Sequence, residues 1–388
     1  MKKIIFIYGN LPAYRKDFFT NLSKSLEENG IEMKVFYGYV ANKVVKQDDS
    51  NNYKTKKFET VKKNFKLLTF SKMVGLLEEI KAEKPDGIIF QFNQTNISQW
   101  KVLRYCKKNN IPYAIWGCNY TRADLNGGLA KVRERIYHYI YKNAKILIPY
   151  GTLYRDYFIN LGIPKERIVV AQNTINVEAI VEKHKNILAK DVTNRKLKVL
   201  YVGALAWQKK IESSIDALAE MIDANYNITF DIVGGGTELE KLKNHLSQKS
   251  EKAQANITLH GAKYGEELER FFLDADVFLM PGTGGLGVNE AMAYELPIIS
   301  THGDETVYDL IDGNGYLLQN FGDKNEQMKY LKEFISLSQE EKNVMGKKSR
   351  SNILSRASLK NMVDSHHNAI KKLIDSSDDL IEKTKVIM

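Results

Sequence analysis

The sequence predicts an α/β protein of two Rossmann-like, doubly wound domains that face each other across a ligand-binding cleft. Three observations carry that prediction. At 388 residues the chain exceeds one ordinary hydrophobic core, so two domains of roughly 150–200 residues are the natural division. Short apolar runs alternate from end to end with segments of three- and four-residue apolar spacing, the pattern of parallel strands joined by crossover helices. The series then pauses at a polar, charged stretch, Val177–Lys196, and starts again. In such folds a ligand sits at the carboxyl ends of the strands.

The elements follow in order. The apolar run Ile4–Tyr8 is shorter than a signal-peptide core and stops at Gly9, which makes Lys3–Tyr8 a first strand. Phe18–Glu28 has helical spacing, and Glu32–Tyr37, Gly87–Phe92, Pro112–Trp116 and Lys145–Pro149 read as further strands. Lys54–Lys66 stands out only as a lysine-rich tract. Leu129–Lys142 reads as a helix, basic through Lys131, Arg133, Arg135 and Lys142 and apolar through Ile136, Tyr139 and Ile140. That apolar stripe suits core packing or an anionic membrane surface. After the linker come strands at Lys198–Val202, Thr229–Val233, Ile257–His260, Val277–Met280 and Pro297–Ser300, with a helical pattern at Ile215–Ala224. Leu359–Met388 reads as helix. The expected division is residues 1–178 for the first domain and 179–365 for the second, with the terminal helix, about 366–388, packing back on the first.

Hydrophobic residues at 43% and charged residues at 27% give the balance of a folded globular chain. No run approaches the roughly 18–20 apolar residues that span a bilayer. Cys106 and Cys118 are the only cysteines and fit no metal motif, so a reduced, cytoplasmic compartment is the expectation. Charge is uneven: residues 1–175 hold 30 Lys and Arg against 15 Asp and Glu, and the remainder 27 against 32. A basic first half fits an anionic partner, either the inner membrane surface or a phosphorylated acceptor, although a plain lysine-rich surface gives the same count. No nucleic-acid-binding signature is present.

The most informative window is Val277–Ser300, VFLMPGTGGLGVNEAMAYELPIIS. A buried strand runs into a glycine-rich turn, and a helix begins near Gly285–Gly287. Glycines admit close backbone approach, and free N–H groups at a helix N-terminus favour an anion such as a diphosphate. Glu290 lies about one turn into the helix, where its carboxylate could accept from ribose hydroxyls.

Several segments, in this order and spacing, resemble the group 1 glycosyltransferases, enzymes of the GT-B fold that retain anomeric configuration, as found in bacterial surface-polysaccharide assembly. Leu200–Lys209, LYVGALAWQK, is similar to the segment that opens the family's second domain. Gly203 and Lys209 match its diphosphate-facing glycine and lysine, while Ala204 stands where an arginine is usual. Phe230–Thr237, FDIVGGGT, resembles the next strand and its glycine turn, which includes Gly235. Leu259–Gly261, Leu268–Pro281 and Asn314–Leu318 match the strands and helix beyond. The family carries two glutamates eight positions apart in the helix window: Glu290 matches the ribose ligand, and Gly282 falls where the sugar ligand is usual. In the first half, Leu11–Phe19, LPAYRKDFF, resembles an opening motif of related polysaccharide transferases, which would place Gly9, Tyr14 and Arg15 at the cleft. Ile115–Asn119, IWGCN, resembles a Trp–Gly–His–Gly segment; Trp116 and Asn119 would line the cleft, with Cys118 in the histidine slot. Arg167–Asn176, ending VVAQNTIN, resembles the last strand before the linker.

The resemblance implies transfer of a sugar from a nucleoside-diphosphate sugar to a glycan or polyprenyl-diphosphate-linked acceptor. Lys209 and Glu290 would be its catalytic-site residues, and Gly203, Lys209, Gly235, Gly284, Gly285, Leu286, Gly287, Val288 and Glu290 its donor-binding set. No cofactor or metal is expected, since no Asp–x–Asp motif lies on a suitable loop. The changes at Ala204, Gly282 and Cys118 keep a second reading open, a catalytically weakened sugar-nucleotide-binding or accessory protein. A sugar-nucleotide epimerase is a third. It would want acid–base groups, and His138 is the only histidine in residues 1–178.

Overall fold

The computed structural model describes residues 1–39, 52–65, 68–117, 128–185, 195–303 and 305–375. The chain forms two compact units. The first takes Met1–Tyr150, Tyr154–Ala171 and the segment from Met362 onward; the second takes Gly151–Leu153 and Gln172–Asn361. Among the described residues no helix is long and apolar enough to cross a membrane.

The first unit holds a seven-stranded sheet of β1 (Lys2–Tyr8), β2 (Ile31–Tyr39), β3 (Lys54–Phe65), β4 (Leu68–Met73), β5 (Gly87–Phe90), β6 (Tyr113–Trp116) and β7 (Ile146–Ile148), in the order β4-β3-β2-β1-β5-β6-β7. Ile4 to Tyr8 are all buried, as expected of a central parallel strand covered on both faces. The lysine-rich tract belongs to a hairpin. β3 pairs parallel with β2 through Lys54–Glu59, then antiparallel with β4 through Thr60–Phe65. Only Phe58 of its described side chains is buried, so the strand carries almost no apolar alternation. Its lysines suit a strand near the open edge of a sheet, where charge discourages further pairing. The segment read as a last strand before the linker forms only an isolated bridge, Leu147 to Ile168, with single hydrogen bonds from Val169 N to Leu147 O and Ala171 N to Pro149 O.

The helix Gly128–Asn143 turns Tyr137, Ile140 and Tyr141 into the first core and leaves Val132 and Tyr139 exposed. The helix Leu359–Ile374 buries Met362, Val363, His366, Ala369, Ile370 and Leu373, a stripe of helical period. Gly87 makes room for it: a Cβ there would lie 3.1 Å from Leu373 Cδ2. Residues 376–388, read as a continuation of this helix, lie outside the described residues.

The second unit has six strands, β8 (Leu197–Val202), β9 (Ile228–Val233), β10 (Ile257–Gly261), β11 (Val277–Met280), β12 (Ile298–Thr301) and β13 (Gly315–Leu318), all parallel, in the order β10-β9-β8-β11-β12-β13. The chain winds outward from β8 to β10, then returns to β11 beside β8 and winds the other way. The carboxyl ends of β8 and β11 therefore flank the point where the winding reverses, the place where doubly wound sheets bind ligands.

Candidate functional site

Two loops leave the sheet of the second unit at this reversal point. After β8, Gly203 N donates to Val233 O at 3.0 Å and Leu205 N to Gly235 O at 2.9 Å, which ties the loop to the glycine turn after β9. The chain then makes a 3-10 turn, Trp207–Lys209. After β11, Pro281 leads into the glycine loop and the helix Leu286–Ala293, with Gly285 at its N-cap.

The loops clasp each other. Thr283 N donates to Gln208 O at 3.0 Å, and Lys209 Nζ donates to Thr283 O at 2.7 Å and Gly284 O at 3.0 Å. A Cβ on Gly285 would lie 3.5 Å from Lys209 Nζ, so the ammonium stands at the helix N-terminus. Gly287 is close-packed, since a Cβ would fall 2.5 Å from Val202 O. Gly282 is equally constrained: a Cβ would meet Gln208 O at 2.3 Å and Lys209 C at 2.4 Å. No side chain fits at 282 without displacing the turn that carries Lys209. The absence of a carboxylate there is part of how the two loops fit.

The first N–H groups of a helix have no intrahelical partner and carry the positive end of its dipole. With Lys209 beside them, the loop end concentrates positive potential. Val288 has a fully buried side chain, and its N–H donates to Gly285 O at 3.1 Å, so its contribution is to packing. Leu286 is half-buried. Glu290 is half-buried too, and its carboxyl makes no hydrogen bond or ion pair among the described residues. Burial, aided by the negative charge of Glu269, pushes it up to about 7. Ala204 is exposed and offers no charge.

Two further titratable groups lie on the loop after β12, and nothing in the sequence pattern singled them out. Thr301 Oγ1 donates to Gly282 O at 2.6 Å, which fastens this loop to the glycine loop. His302 stacks edge-on against Phe321 with ring centroids 4.7 Å apart, and burial lowers its pKa. Glu305 is 4% exposed. The signal that finds them is adjacency of strand ends, which a linear reading lacks.

The first-unit candidates separate by burial. Gly9 and Tyr14 are exposed. Arg15 is 2% and Trp116 0% exposed, so the structure places both in the interior, where the sequence reading expected ligand-facing groups. The Arg15 guanidinium lies 5.1 Å from the Trp116 ring and 5.0 Å from that of Tyr14. Trp116 is surrounded by Phe6, Tyr8, Phe18 and Phe19, and is closed over by His366 at 4.4 Å. The returning helix supplies that cover. His366 Nδ1 bonds Met362 O at 2.8 Å, and burial lowers the imidazole to about 3. The first unit thus contains a histidine from far outside residues 1–178, held neutral. Cys118 and Asn119 lie outside the described residues.

Residues 165–352 match the family described as glycosyl transferases group 1. Over 177 residues the chain is 26% identical to the amylovoran biosynthesis glycosyltransferase AmsK of Erwinia amylovora, covering 43% of this chain and 42% of that protein. Over 184 residues it is 24% identical to the putative colanic acid biosynthesis glycosyltransferase WcaL of Salmonella typhimurium, covering 44% of each. The chain thus spans less than half the length of these curated relatives. Solved structures are similar over nearly the whole chain. Anabaena Alr3699/HepE in complex with UDP and glucose superposes with a TM-score of 0.68 at 14% identity, covering 96% of this chain and 100% of that one. The lipopolysaccharide outer core galactosyltransferase WaaB superposes with a TM-score of 0.65 at 17% identity, covering 95% and 99%. The fold is GT-B, and within it residues 165–352 match the family described as glycosyl transferases group 1.

Proposed function

We propose that the protein transfers a sugar from a nucleoside-diphosphate sugar, with retention of anomeric configuration, to a glycan or polyprenyl-diphosphate-linked acceptor in surface-polysaccharide assembly. The observation that carries this reading is the meeting of Lys209 with the N-terminus of Leu286–Ala293 at the winding reversal, with the Glu290 carboxyl, unpartnered among the described residues, on the same helix. Relatives named for amylovoran and colanic acid biosynthesis support the polysaccharide context. The HepE structure with UDP and glucose supports the donor class.

In this reading the diphosphate lies over the glycine loop and Glu290 accepts from the ribose hydroxyls. As the bond to the anomeric carbon breaks, the sugar gains oxocarbenium character and the diphosphate gains charge. Lys209 and the helix N–H groups are fixed in place before that charge develops, which lets them stabilise it without reorganisation. The acceptor hydroxyl attacks from the face that the diphosphate leaves and gives up its proton to the departing diphosphate oxygen, so no protein nucleophile is assigned. The reaction is proposed to need no metal, and turnover in excess EDTA tests that. The purified chain, given UDP- and GDP-sugars with membrane extract, should consume one donor and release its nucleoside diphosphate. Binding of a nucleotide sugar without consumption would favour an accessory role instead.

The basic first half, and the exposed Val132 and Tyr139 on a helix carrying Lys131 and Arg135, fit a protein that works against the anionic inner face of a membrane, where a lipid-linked acceptor resides. Co-sedimentation with vesicles containing anionic lipid is expected at low salt and is expected to disappear at high salt. Equal recovery with neutral vesicles would count against it.

A further inference from the structure

Glu305 is a buried carboxyl on the loop that packs against the glycine loop, and among the described residues nothing engages its Oε2. It occupies the N-cap of the short helix Thr306–Leu310, yet its side chain makes no capping bond. Its backbone adopts φ 80°, in the left-handed region that glycine favours and a glutamate normally avoids. Its main chain is fully used, with N donating to His302 O at 2.8 Å and O accepting from Tyr308 N at 3.1 Å. Among the described residues the neighbouring Thr306 Oγ1 is buried without a partner as well. A strained backbone that delivers a buried, unsatisfied carboxyl is costly to folding, and such groups concentrate where a ligand is to be met.

The loop that holds Glu305 borders the proposed donor site within the second unit. Thr301 Oγ1 bonds Gly282 O, and a Cβ on Gly303 would lie 2.8 Å from Gly284 Cα, so the loop packs directly on the glycine loop. The blocked Cβ direction at Gly282 means the glycine loop itself cannot present a carboxyl there. Burial, reinforced by the charge of Asp309, raises the Glu305 carboxyl to about 10 and keeps it protonated. Asp309 already accepts from Thr152 N at 2.8 Å and Gln172 Nε2 at 2.5 Å. A neutral carboxyl can both donate to and accept from a hydroxyl, and it adds no repulsion toward a nearby diphosphate.

We propose that Glu305 recognises the transferred sugar, its carboxyl hydrogen-bonding a hydroxyl of the hexose in a nucleoside-diphosphate sugar whose phosphates lie at Lys209 and the glycine loop. This inference rests on the donor site proposed above and adds a sugar-specifying residue to it. The test is calorimetric titration of the full chain, wild type, Glu305→Gln and Glu305→Ala, with UDP and UDP-glucose and, in parallel, GDP and GDP-mannose. The nucleotide that binds wild type should bind both variants within about twofold. The corresponding nucleotide sugar should bind Glu305→Ala roughly tenfold more weakly, the scale of one buried hydrogen bond, and Glu305→Gln should keep part of the affinity. Three results would overturn the inference. An unchanged ratio of nucleotide-sugar to nucleotide affinity in both variants removes Glu305 alone and leaves the donor site standing. Parallel loss of nucleotide and nucleotide sugar in both variants assigns Glu305 to structure. Failure of wild type to bind any of the four ligands removes the donor site and this inference with it.

Discussion

Lys209 and Glu290 carry the chemistry proposed here, and each makes a prediction that packing alone does not. Replacing Lys209 by Ala removes the ammonium from the mouth of Leu286–Ala293 and should lower turnover about 100–1000-fold, the range seen when one preorganised charge-stabilising donor is lost. Circular dichroism should be unchanged, and near-normal turnover would exclude the charge-stabilising role. Glu290 predicts a pH dependence. Its carboxyl titrates near 7 in the free protein, and accepting from two ribose hydroxyls favours the ionised form. Nucleotide affinity should therefore climb as pH rises from 6 to 8, by up to about tenfold, as the ionised fraction grows. The phosphates of the ligand titrate in the same range, so the comparison is with Glu290→Gln, which shares that contribution and should show a flatter profile. Stability moves in the opposite sense. Because the folded value is raised, the folded state holds more protons between about 4.5 and 7, and stability falls as pH rises through that interval. Parallel profiles for wild type and Glu290→Gln would dissociate Glu290 from the ribose. Both residues were legible in the sequence because each belongs to a local motif. Arg15 and Trp116 were not, since their burial depends on His366, some 250 to 350 positions away along the chain. Glu305 left no local signal, being marked only by the company it keeps in the fold.

At the scale of elements, the glycine loop is held by contacts in which hydrogen replaces a methyl group. Gly287 shows the balance. Glycine-to-alanine inside a helix ordinarily stabilises by about 1 kcal/mol, but here the added carbon would sit 2.5 Å from Val202 O, a backbone atom of β8 that has nowhere to yield. The strain of overpacking, about 1–3 kcal/mol, should win. Gly287→Ala is expected to be less stable in urea titration and to bind nucleotide more weakly, because the helix must lift from the strand end. A neutral or stabilising effect would mean that the two elements are less closely seated. The strands of the second unit were readable because central parallel strands are short apolar runs bounded by turns. The β3–β4 hairpin was not: with Phe58 the one buried side chain described on β3 and lysines along its length, it lacks the alternation that marks a half-buried strand. Its conformation comes from pairing to β2, a tertiary contact.

At the scale of the molecule, the two sheets and their separate cores divide the work. The linker and the restart of the strand series were visible in composition, which is why the two-unit architecture could be anticipated. The interior of the first unit is completed only by the helix Leu359–Ile374, whose Leu373 fills the space left by Gly87. Every residue assigned here to nucleotide binding, by contrast, belongs to the second unit. Leu373→Ala separates the two. Removing a fully buried leucine side chain costs about 2–5 kcal/mol through lost burial and the cavity left behind, so the thermal midpoint should fall clearly. Nucleotide affinity measured well below that midpoint should stay within about twofold of wild type, as expected for sites that share no partners. The pair of measurements is what decides. A loss of affinity that tracks the loss of stability would show that the donor site depends on the first unit's core, and would move the origin of donor binding from the second unit to the whole chain.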